Sequence, residues 1–121
     1  MTGDLTIDPG TSVAGAVLHL HGDLDLTTIA VLRTAVREAP LCAGQWLIVD
    51  LVALEFCDSV GMSALIAARN HATAALAGFA LAGVPRHLLT ALRVVGLDQV
   101  FPMYSTVDMA VRAHGAAAAP Q

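Results

Sequence analysis

The segment FCDSVGMSAL, residues 56–65, places an acid and a hydroxyl side by side, Asp58 and Ser59, between an apolar run and an alanine-rich one. A serine at such a junction can be a nucleophile or a helix cap. The nucleophile reading wants a strained Gly-x-Ser-x-Gly elbow and a histidine base, and CDSVG lacks the first glycine. For capping, either Asp58 or Ser59 can accept from the orphan N–H groups that open a helix. Gly61, third in the expected helix, costs about 1 kcal/mol relative to alanine, so its presence implies close approach by another strand or a partner.

Two other clusters have chemical residue types. In HLHGD, His19 and His21 alternate along a strand and Asp23 follows, a spacing that can share a metal. The metallo-hydrolase signature that begins this way needs a second histidine after the acid, and Leu24 stands there. The remaining histidines, His71, His87 and His114, are scattered, so a polar strand face is the better account. In GDLDLTT, Asp23 and Asp25 leave a strand and enter a helix. No third polar partner joins them, so loop solvation and capping account for them better than acid–base catalysis.

These residues need a scaffold. Residues 4–7 and 13–21 read as a hairpin turned by DPGTS, with Leu18 and Leu20 on its buried face and Val17, His19 and His21 on the other. Ile29, Leu32 and Val36 then recur at helical spacing behind Thr27 or Thr28 as cap, and Pro40 and Gly44 end that helix. Residues 46–51 form a strand buried on both faces, as in parallel sheets, followed by a short loop and a long helix from Ser59 to about Ala77. FALAG is another buried strand. Pro85, in the first helical turn, and Gly96, at the C′ position, bracket the next helix. A last strand over 100–104 contains Pro102, an edge signal, and Ser105 with Asp108 opens a final helix through Arg112. The order ββαβαβαβα predicts an α/β fold with a mixed, mostly parallel four- to five-stranded sheet and about four helices.

With 121 residues the chain fits a single domain over 1–121, its core spanning about 4–112 and a frayed tail over 113–121. It is 56% hydrophobic but 4% aromatic, which favours small-residue helices packed on a sheet over an aromatic-rich barrel. Net charge is −4, and the six basic residues stand singly, so a nucleic-acid stripe is missing. Polar groups interrupt every apolar run before the roughly 18 residues of a membrane span. A basic, then apolar, leader is absent, and Cys42 and Cys57 read as free thiols of a cytoplasmic protein.

Three stretches resemble the STAS domain, specifically the bacterial anti-sigma factor antagonists: GDLDLTTIAVLRTAV, LIVDLVALEFCDSVGMSAL and GVPRHLLTALRVVGLDQVF. The resemblance covers roughly residues 4–112. It implies a switch protein, not an enzyme, without cofactor or metal, and a STAS fold. In that family the serine of Asp-Ser-x-Gly is phosphorylated by an anti-sigma factor that is itself a kinase, and a phosphatase reverses the mark. Carried over, Ser59 is the phosphoacceptor, and the unmodified protein binds the anti-sigma factor and releases a sigma factor. Asp23, Asp25 and Asp58 match flanking acidic positions, with Asp23 in place of the commoner glutamate. Val60, Gly61 and Met62 complete the motif; Val60 is apolar where a small polar residue is usual, and Met62 replaces leucine. The alternative is a STAS module that binds a nucleotide or small metabolite without phosphorylation, suggested by Gly61 and Val60.

Overall fold

The computed structural model describes residues 3–118. The elements are β1 (Leu5–Thr11), β2 (Ala16–Leu24), α1 (Ile29–Glu38), β3 (Trp46–Cys57), α2 (Ser59–Ala74), β4 (Gly78–Ala82), α3 (Arg86–Val94), β5 (Met103–Tyr104) and α4 (Val107–Ala118). This is the expected α/β order. The five strands lie side by side in chain order, β1 antiparallel to β2 and every later pair parallel. Helices α1, α2 and α3 pack Leu32, Leu65 and Leu88 with the strand residues Leu18, Leu20, Leu47 and Val49 into the main core. Apolar burial of this kind stabilises by about 25 cal/mol per Å². Among the described residues no helix is long and apolar enough to cross a membrane.

Several boundaries differ from the sequence reading, each for a local reason. The hairpin turns at 12–15, not at DPGTS, because Ser12 Oγ accepts from the N–H groups of Ala14 and Gly15 at 3.1 and 3.2 Å. Gly15 closes the turn at φ 143°, where a Cβ would overlap the Trp46 carbonyl. Pro9 is thereby absorbed into β1, an edge strand, where the missing N–H is tolerated. Strand β3 runs six residues beyond Leu51, because its pairing with β2 shifts register twice and keeps Leu54 buried. β5 is only two residues long, since Leu97–Gln99 form a short 3₁₀ turn before it. Pro85 stands at the N-cap of α3 and not inside its first turn, while Gly96 follows in the left-handed conformation.

The second sheet face is not simply polar. Val17, Ile48 and Ala82 are buried there beneath Ala110 of α4. Thr106, not Ser105, caps that helix, its Oγ1 accepting from Met109 N–H at 3.1 Å. The helix continues past Arg112 because His114 stacks on Trp46, ring centroids 3.4 Å apart, and hydrogen-bonds the Tyr104 hydroxyl at 2.7 Å. Residues 113–118, expected to fray, are thus helical, and residues 119–121 lie outside the described residues.

Candidate functional site

The carboxyl edge of a parallel sheet is where helix N-termini converge and ligands of open α/β folds collect. Here β3 passes into α2 through Asp58 alone, so the expected loop shrinks to one residue. Asp58 is extended, and its Oδ1 accepts from Gly61 N–H at 2.9 Å while its carbonyl accepts from Met62 N–H at 2.9 Å. That assigns the cap to Asp58. Ser59 becomes the first helical residue, exposed, with its hydroxyl relieved of capping.

Gly61 is buried, and what approaches it is β2. A Cβ there would overlap the Leu24 carbonyl oxygen and stand 2.7 Å from Cys57 Sγ. The glycine therefore serves the site from beneath and lines no surface. Met62 is half-buried against the main core, and Val60 is half-exposed. Cys57 donates to the Asp58 carbonyl at 3.6 Å; burial, with the Asp58 charge adding, pushes its thiol up to about 12, so no thiolate nucleophile forms near neutral pH.

The loop from β2 to α1 supplies the other half of the edge. Asp23 pairs with Phe56 and Leu24 with Cys57, so Asp25 and Asp58 leave adjacent strands side by side. Asp25 Oδ1 accepts from the Thr27 hydroxyl at 2.7 Å and the Thr27 N–H at 2.9 Å. The Thr27 hydroxyl is the largest influence holding this carboxyl below its usual range, against a smaller opposing effect of burial. Thr28 stands at the N-cap of α1 but does not cap with its side chain. Its buried Oγ1 donates back to the Asp23 carbonyl at 2.8 Å and accepts from Asp25 N–H at 2.9 Å, fixing the loop instead.

The structure thus brings Asp23, Asp25, Asp58 and Ser59 to one edge. Sequence reasoning missed two residues there, Leu26, 70% exposed between Asp25 and Thr27, and Phe56, 49% exposed on β3. The available signal for Leu26 was an apolar residue inside a polar loop; Phe56 was hidden because the register shifts of β3 turn it outward. His19 and His21 lie on the other sheet face, where each takes its own carboxylate, Asp50 at 2.7 Å and Asp8 at 3.6 Å. Among the described residues no group of three or more His, Cys, Asp or Glu is placed to hold a metal.

Comparison with known proteins agrees with this architecture. The family model described as "Mlab, STAS domain" matches residues 7–105. The anti-sigma-F factor antagonist RsfB of Mycobacterium tuberculosis (strain CDC 1551 / Oshkosh) is 31% identical over 96 residues, 79% of this chain and 78% of that protein. The crystal structure of an anti-sigma factor antagonist from Mycobacterium paratuberculosis is 27% identical, with a TM-score of 0.76 over 91% of this chain and 93% of that one. The Bacillus cell fate determinant SpoIIAA, solved in its phosphorylated form, shares the fold at 18% identity, with a TM-score of 0.65 over 90% of this chain and 97% of that one. With its strand order and its Asp-Ser-x-Gly junction, the chain belongs to the STAS-domain family of bacterial anti-sigma factor antagonists.

Proposed function

We propose that this STAS protein is a phosphorylation-switched anti-sigma factor antagonist of the cytoplasm. Its unmodified carboxyl edge binds an anti-sigma factor that is also a serine kinase, which frees a sigma factor. Phosphate on Ser59 ends that complex until a phosphatase removes it. The observation that carries the reading is the division of labour at the start of α2: Asp58 holds the cap, and the exposed Ser59 hydroxyl is left to react.

Physical chemistry supports a binding switch over a folding switch. A phosphate on Ser59 adds about −1.5 to −2 charges beside Asp58 and on the edge shared with Asp23 and Asp25. The helix N-terminus offsets only about 0.3–1 kcal/mol of this. Free in solvent, the domain tolerates the added charge. A partner packed on Leu26 and Phe56, the exposed apolar anchors, would bury it, and a desolvated or opposed charge costs several kcal/mol, with each 1.4 kcal/mol tenfold in affinity. The approach to Gly61, which would favour a small-ligand module, is made by Leu24 of the same chain.

The test is phosphosite mapping. Incubation with ATP and a co-purified anti-sigma factor kinase should place one phosphate on Ser59 and none on Ser59→Ala; a phosphate mapped to another residue would contradict the reading.

A further inference from the structure

Away from the Ser59 edge, α1 and α2 leave between them a groove of about 300 Å³. Its floor is apolar, with Val36 and Ala68 buried and Ala64 half-buried. Its rim carries two guanidiniums, Arg33 and Arg37 from α1, with the His71 imidazole from α2 beside them, all three exposed. In a chain of net charge −4 with six basic residues, this reverses the local sign. Among the described residues the carboxylates that meet a basic side chain are Asp50, beside His19, and Asp8, beside His21, so neither Arg33 nor Arg37 has a carboxylate partner there.

The spacing suits a helix. Ala64, Ala68 and His71 follow i, i+4, i+7 on α2, and small side chains in such a row let a third helix approach closely. Arg33 and Arg37 are one turn apart, with side chains about 5–6 Å from each other at their roots, a match for acids repeated at i, i+4. A small amphiphilic acid would instead want donors converging on one carboxylate. We propose that the α1–α2 groove seats an amphipathic helix of a protein partner, aliphatic on its inward face and carrying Asp or Glu along its flanks. The site goes beyond the phosphate switch. With a rise of 1.5 Å per residue, Ala64 and His71 lie about 7.5 and 18 Å along α2 from Ser59, so the groove begins more than a turn beyond that serine and runs away from it.

The test is a titration of the isotope-labelled full chain, followed by NMR, with a bridged helical peptide of about four turns carrying Leu on one face and Glu on both flanks. Its counterpart has Lys at every Glu position. The Glu peptide should bind with a submillimolar Kd, shift the amides around Arg33, Arg37 and Ala67, and exceed the Lys peptide by at least about tenfold. Arg33→Glu with Arg37→Glu should abolish binding, the Lys pair should retain most of it, and Ala67→Trp should block the groove without altering charge. Thermal unfolding of each variant checks that it folds. Ser59→Asp should leave peptide binding unchanged, so the groove and the phosphate switch stand or fall separately. Equal affinity for both peptides, shifts mapped elsewhere, or no shift with about 1 mM Glu peptide would overturn the proposal.

Discussion

Gly61 stands with its α-carbon against the backbone carbonyl of Leu24, so the first turn of α2 is pressed onto the end of β2. This contact couples the two halves of the edge, because Leu24 leads directly into the Asp25 loop and Gly61 follows Ser59 by two residues. Gly61→Ala should therefore destabilise the protein by about 1–3 kcal/mol in chemical denaturation, outweighing the roughly 1 kcal/mol gained from helix propensity. A stabilised variant would show that the packing is loose.

The cap gives a second expectation. Asp58→Ala removes the acceptor for Gly61 N–H and should cost about 1 kcal/mol, a fall of about 4 °C in Tm. Asp58→Asn keeps an acceptor oxygen and should stay within about 0.5 kcal/mol of the parent. Equal losses in the two variants would mean that the charge, not the hydrogen bond, stabilises the helix start.

Asp25 makes the loop sensitive to acid. Its carboxyl is held below the usual range chiefly by the Thr27 hydroxyl, so the folded state binds this proton less readily than the unfolded chain does. Its contribution to stability is present above the ordinary carboxylate range and is lost as pH falls through the depressed folded value. Thr27→Val should move the Asp25 pKa upward in an NMR titration of the side-chain carboxyl carbon. An unchanged value would show that the hydroxyl bond is not what lowers it.

Much of this was legible because it repeats along the chain. Leu32 and Val36 on α1, the continuous apolar block of Leu47, Ile48 and Val49, and the Pro85–Gly96 bracket all carry their structure in local spacing. Asp58 and Ser59 were legible as a junction, but which of them caps depends on the direction in which β3 delivers the chain. The illegible parts depend on contacts distant in sequence. His114 extends α4 by stacking on Trp46, 68 residues earlier by number, and the register shifts that expose Phe56 arise between β2 and β3. Val17 alternates with histidines along β2, and only the cover of α4, far away in sequence, makes its position a buried one. Gly61 announced a close approach, and only the fold identifies Leu24 as its cause.

The central claim is that charge on Ser59, and not a change in the fold, decides whether the partner stays bound. Calorimetric titration of the anti-sigma factor kinase into the parent, Ser59→Ala and Ser59→Asp proteins measures this directly, with thermal unfolding as the control for folding. The parent and Ser59→Ala should bind alike, while Ser59→Asp should unfold at the same temperature and bind about 100-fold more weakly or worse. Ser59→Asp that binds as tightly as the parent would contradict the account.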